Sequence, residues 1–155
     1  MKEYLIETFN WNDYANKMVL EKIKQLPDKA EAIKFFSHLI NSMNKWMARI
    51  LQDPKMKEID WWKPEYPLEE LESQWSKCVH MWIDFINSKT EEQLSAIVQY
   101  TGNDEARWEA PLKDIALQLN YHSIHHRAQI QTMIRRQGLV PDFVDYIGTK
   151  YRKIS

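Results

Sequence analysis

The sequence predicts an all-α fold, a four-helix bundle with a short β-hairpin before its last helix, and three observations predict it. Apolar residues recur at steps of three and four in four long stretches, the spacing that lines one side of an α-helix. Residues suited to helix ends stand between those stretches. Only three of the 155 residues are glycine, too few for the tight turns of a β-barrel or the phosphate-cradling loop of a nucleotide-binding α/β fold. With 44% apolar residues, the chain has the material for one domain over residues 1–155 with an ordinary core.

The first helix is expected from Glu3 to Leu26, ending at Pro27, whose ring cannot continue a helix. The second opens at Asp28, with Glu31 three residues on to complete a capping-box-like pair, and runs to Gln52. Its buried stripe is Ile33, Phe36, Ile40, Met43, Met47 and Ile50. A loop follows from Asp53 to Tyr66, marked by Pro54 and Pro64, and its Trp61 and Trp62 are expected to lie over the bundle end. Pro67 suits the first turn of a third helix with the stripe Leu68, Leu71, Trp75, Val79, Trp82 and Phe85 or Ile86. Thr90 can cap one further short turn. Between Ile97 and Ala110, alternating residues flank Thr101-Gly102-Asn103-Asp104, where Gly102 and Asn103 tolerate positive φ, so a β-hairpin is expected there. The last helix starts at Pro111, reaches Gln137 and ends at Gly138, with Arg135 and Arg136 at the negative end of its dipole. The tail, Leu139 to Ser155, is aromatic enough to pack back on the body. Up-down order is the natural arrangement for such helices, and a longer crossover would change it.

Charge narrows the partners. Against 21 Lys and Arg stand 22 Asp and Glu, a net charge of -1, which gives no broad attraction to nucleic acid or to anionic membrane. No apolar run approaches the roughly 18 residues of a membrane span, and the first residues mix acids with aromatics, unlike a signal peptide. A cytoplasmic address is expected, in keeping with a single cysteine, Cys78.

The histidines carry the chemical signal. His122 and His126 both fall within the apolar arc of the last helix, beside Leu112, Ile115, Leu119, Ile130 and Met133. Four residues apart, they stack on one face, the spacing by which two helical imidazoles bind one metal ion. Two readings stand: hydrogen-bonded core histidines, or two ligands of one metal. Ser123 occupies the place where a zincin protease carries its glutamate base. The sequence has no Glu-x-x-His for a diiron bundle, and Cys78 has no placed base to make it a nucleophile. His80 lies opposite the stripe of its helix and is read as solvated; His125 sits at the border of its arc.

The segment from Asn120 to Ile130, with His122, His126, Arg127, Ala128 and Gln129, resembles the last-helix signature HxxxHRGQ of the DinB/YfiT-like family. Trp11-Asn12-Asp13-Tyr14-Ala15-Asn16 is similar to its first-helix motif YNxWAN. Phe36-Ser37-His38-Leu39, followed by Trp46 and Ala48-Arg49-Ile50, resembles its second-helix stretch, and Pro141 to Tyr146 resembles its closing segment. The resemblance covers nearly the whole chain. It implies a four-helix bundle, often a homodimer, that holds one divalent metal on three histidines, here His38, His122 and His126. Zinc or nickel leads the candidates, then manganese, iron or cobalt. Two residues depart from the pattern: Ala128 replaces the usual glycine, and Met43 stands where many members carry an acid. Periodicity alone turns His38 away from the apolar arc, between the directions of Lys45 and Arg49, and predicts it exposed; a metal in a solvent-open cleft at the bundle edge would reconcile the two.

Three neutral imidazoles leave a divalent ion with an open position, the arrangement of a catalytic rather than a structural site. Relatives of this kind are described as thiol-dependent transferases or isomerases, or are presumed hydrolases, so the expected function is a metal-dependent enzyme acting on a small molecule, with a low-molecular-weight thiol as cosubstrate in the transferase case. Asn16, Asn41, Asn120, Arg127 and Gln129 are candidates to orient the ligands or touch substrate; their alternative roles are capping, interhelical hydrogen bonds or, for Arg127, a surface salt bridge. The competing function is a non-catalytic bundle that dimerises or binds a partner.

Overall fold

A computed structural model describes residues 1–154; position 155, the last of the expected tail, lies outside the described residues. Helix α1 spans Lys2–Gln25 and α2 spans Ala30–Ile50. Between them Asp28 accepts the Ala30 N–H at 3.0 Å, while Glu31 makes no reciprocal cap, so α2 starts two residues later than expected. Helix α3 is Leu68–Asn87 and α4 is the short turn Glu91–Ser95, capped by a full Thr90–Gln93 capping box. Strands β1 (Ile97–Thr101) and β2 (Arg107–Pro111) pair antiparallel with Tyr100 opposite Trp108. Helix α5 runs Leu112–Arg136, and Gly138 ends it at φ 84°, the left-handed conformation that favours glycine.

The hairpin lies where the sequence places it, but its turn differs. The Gly102 N–H donates to Ala106 O at 2.8 Å, and the positive φ of the turn falls on Glu105, at 61°, not on Gly102 or Asn103. Gly102 is needed for another reason: a Cβ there would stand 2.6 Å from the indole nitrogen of Trp108.

The four long helices close around one apolar core in which Trp75 and Trp82 are fully buried, Trp82 stacked on Phe9 and Trp75 edge-on to Phe36. Helices α1 and α2 each pack on α3 and α5, so the two helices joined by the shortest link are diagonal. Lys24 reaching Glu72 and Lys2 reaching Asn87 make α1 and α3 antiparallel; Phe36 against Trp75 and the Met43 carbonyl accepting from Trp82 make α2 and α3 parallel. With α5 antiparallel to α2, as the Asp28–Gln137 bonds require, the order is up-down-down-up. The expected up-down alternation fails because residues 51–67 do not make a turn. They return along α2 as a strap, bonding in succession to Lys45 through Ile59 O, His38 through Trp61 O, Asn41 through Pro64 O and Ser37 through the Tyr66 N–H. Past α5, the tail packs Val144 and Tyr146 against Trp11.

Candidate metal centre

Three histidines meet on the seam between α2 and α5. His122 Nε2 lies 3.1 Å from His38 Nε2 and 3.0 Å from His126 Nε2, and the ligand atoms of all three lie within 4.8 Å of one another. His38 and His126 are buried, and His122 is half-buried.

The hydrogen bonds on the far side of the rings fix which nitrogens are free. His38 Nδ1 faces the Trp61 carbonyl at 2.8 Å, and a carbonyl can only accept, so the proton is on Nδ1 and Nε2 carries a lone pair. His126 Nδ1 donates in the same way to Gln129 Oε1 at 2.6 Å. Two lone pairs therefore converge on the one Nε2 of His122, which can carry at most one proton to share between them. A cation at the centre satisfies all three, and an ion about 2.0–2.1 Å from each nitrogen needs them a little over 3 Å apart, close to what the structure shows. Burial lowers the pKa of all three. His122 is held down to about 4, by burial first and then by the neighbouring imidazoles. The triad is thus in the neutral form that ligates metals. No carboxylate joins the cluster among the described residues.

Aromatic rings wall the triad. Trp62 stacks on His38 with ring centroids 3.9 Å apart, and Phe35 packs against both His126 and Trp62. Phe35 also divides two hollows, one of about 290 Å³ beside Lys34, Trp62 and Lys63, and one of about 220 Å³ beside Gln129, Met133 and Arg136.

The expectation from periodicity that His38 is exposed is corrected: it is 6% exposed, because the strap covers the polar face of α2. Lys45 and Arg49, which marked that face as the solvent side, are buried with it. Of the five candidate supporting residues, Gln129 alone bonds a triad ring. Asn41 acts one step away, donating to Pro64 O at 3.1 Å and so pinning the strap. Asn16, Asn120 and Arg127 belong to a separate polar layer between α1 and α5. There the Arg127 guanidinium donates to Asn12 Oδ1 at 2.7 Å and Asn16 Oδ1 at 3.0 Å and lies over Trp11. Asn16 in turn donates to Ser123, and Asn120 to Thr8. Burial lowers Arg127 to about 10, and a surface salt bridge is not its role. His125 and His80 are exposed and outside the triad. Cys78 is fully enclosed and its thiol is pushed far up by burial, which leaves it inert.

Sequence reasoning did not foresee the parts of Trp61, Trp62, Phe35 and Asn12. Two had a signal: Phe35 precedes His38 by three residues and Asn12 precedes Asn16 by four, each pair on one helical face. The Trp61 carbonyl had none, since any residue supplies one.

A family model described as the DinB superfamily matches residues 20–130, which include all three histidines. No curated protein and no solved structure matches the chain significantly.

Proposed function

We propose that this chain, which belongs to the DinB superfamily, holds one divalent metal ion on His38, His122 and His126 and uses it to act on a small molecule. The convergence of three Nε2 atoms, two of them fixed as lone pairs by Trp61 O and Gln129 Oε1, carries this conclusion. Bound there, a zinc or nickel ion supplies a Lewis acid with an open position, at which water or a thiol gives up its proton near neutral pH.

The chain's own residues do the rest. Trp61 O and Gln129 orient the imidazoles, which is the task of outer partners at metal sites. Trp62 and Phe35 keep bulk water from two faces and shape the adjoining hollows, whose size suits a metabolite rather than a polymer. The ligand set suits thiol transfer and hydrolysis alike, and acids, Glu65 and Glu31, line the two adjoining hollows.

Elemental analysis of untagged protein is expected to give one equivalent of metal per chain, lost in His122→Ala and His126→Ala with the helical circular dichroism unchanged. Wild-type protein that stays metal-free after reconstitution would overturn the proposal. With metal bound, conversion of an electrophile in the presence of a low-molecular-weight thiol, compared with ester hydrolysis, decides between the two reactions.

A further inference from the structure

A third hollow, of about 360 Å³, opens where the C-terminal end of α2, the start of the strap and the β-hairpin meet. It lies three turns of α2 from His38, about 16 Å at 1.5 Å per residue, and is separate from the hollows beside the triad. Three cations line it, Arg49, Lys57 and Arg107, against one acid, Asp53.

Arg49 is the unusual member. It is 5% exposed, yet it forms no ion pair with a carboxylate among the described residues. One Nη2 hydrogen goes to Asn103 Oδ1 at 2.8 Å, and Nε is buried without a partner. Three rings hold the guanidinium in place, Trp61 at 4.8 Å, Trp46 at 4.9 Å and Tyr100 at 5.6 Å. Aromatic faces offset part of the cost of burying a charge, and a charge-assisted bond to an anion offsets more. Neither nearby acid pairs with it: Asp53, whose Oδ1 accepts the Lys55 N–H that opens the adjoining 3-10 turn, makes no salt bridge to Arg49, and Asp104 acts on the guanidinium only at longer range. Arg107, extended across β1 to Gln99 Oε1 at 2.6 Å, and Lys57, loosely paired with Glu105 at 3.7 Å, are exposed and free to turn toward a ligand.

We propose that this hollow binds the phosphate group of a small molecule, with Arg49 as its fixed contact and Lys57 and Arg107 as mobile ones. Three cations against one acid match a dianion better than a monocarboxylate, and a cavity of this volume is at the small end of metabolite sites.

Inorganic phosphate is the probe, titrated into isotopically labelled full-length protein at constant ionic strength. The reporter is the Arg49 Nε–H resonance, assigned by its loss in Arg49→Lys. A saturable shift is expected, weakened at least tenfold in the double variant Lys57→Gln, Arg107→Gln, whose side chains are exposed so that the fold is kept. A shift no larger than chloride produces, one unchanged in the double variant, or acetate binding as tightly as phosphate would each overturn the proposal. The same titration on the His126→Ala protein separates this site from the triad. Phosphate binding retained there, whatever becomes of the metal, leaves the two conclusions to stand or fall apart.

Discussion

Gln129 is the one side chain whose amide oxygen orients a triad ring, so its removal tests the centre without touching a ligand. In Gln129→Leu, His126 loses the acceptor that holds its proton on Nδ1, and metal affinity is expected to fall about 10–100-fold, read by competition with a chromogenic chelator. An unchanged affinity would mean that packing against Phe35 alone orients the ring. The same three histidines set a pH dependence in the metal-free protein. Their folded pKa values lie below the ordinary 6.5, His122 at about 4, so the unfolded chain takes up protons first. The stability they contribute is therefore full above about pH 6.5 and is lost as the pH falls toward 4. Urea midpoints measured in chelator between pH 7 and 4 should decline, and less steeply in His122→Gln. At this scale the sequence was legible wherever a property belongs to one helix: His122 and His126 share a face by spacing alone. His38 was legible only through its resemblance to a family motif, because its burial is made by residues more than twenty positions away.

The strap over residues 51–67 is the element that turns a polar helix face into part of the interior. Helix periodicity records which residues avoid water against other helices, and an irregular strap, even one that carries Trp61 and Trp62, has no period to show which face it will cover; hence the helices were placed within a few residues while the face of α2 bearing His38, Lys45 and Arg49 was read as solvent side. Trp62→Ala tests what the strap contributes. It removes the ring stacked 3.9 Å from His38 but leaves the Trp61 carbonyl, so metal affinity should drop by about tenfold, short of the loss of a ligand. Trypsin should also cut sooner in the strap at the exposed Lys55 and Lys57, and unchanged cutting would show that the strap is held by its backbone bonds alone. The hairpin offers a companion case. Alternation and the Gly102-Asn103 pair located it, whereas the residue with positive φ depends on the five-residue turn closed by Gly102 and Ala106. Gly102→Ala drives a methyl into Trp108 and Asp104, and because Asn103 next door binds Arg49, the variant should perturb the Arg49 resonance as well as lower the melting temperature.

For the molecule as a whole, the up-down-down-up order gives α5 two polar seams, the Arg127 layer toward α1 and the triad toward α2. The second seam brings ligands from different helices together: His122 and His126 both ride on α5, and only His38 comes from α2. Metal held by all three is a cross-link between helices that the unfolded chain cannot make, and it should stabilise the fold by mass action, about 2.7 kcal/mol when free metal is a hundred times its Kd. For a chain of this length that amounts to a rise in melting temperature of roughly 5–11 °C. His38→Ala is the informative variant, since it keeps the two α5 histidines that can still hold an ion weakly without tying one helix to the other. The thermal gain on adding metal, measured against the variant's own metal-free melting temperature, should vanish in it even where residual metal is detected; that metal-free value falls below the wild type's, because the substitution empties a buried position and leaves the Trp61 carbonyl without its donor. A gain that persisted in His38→Ala would show that the ion serves α5 alone, and the seam between α2 and α5 would then be held by packing and not by coordination.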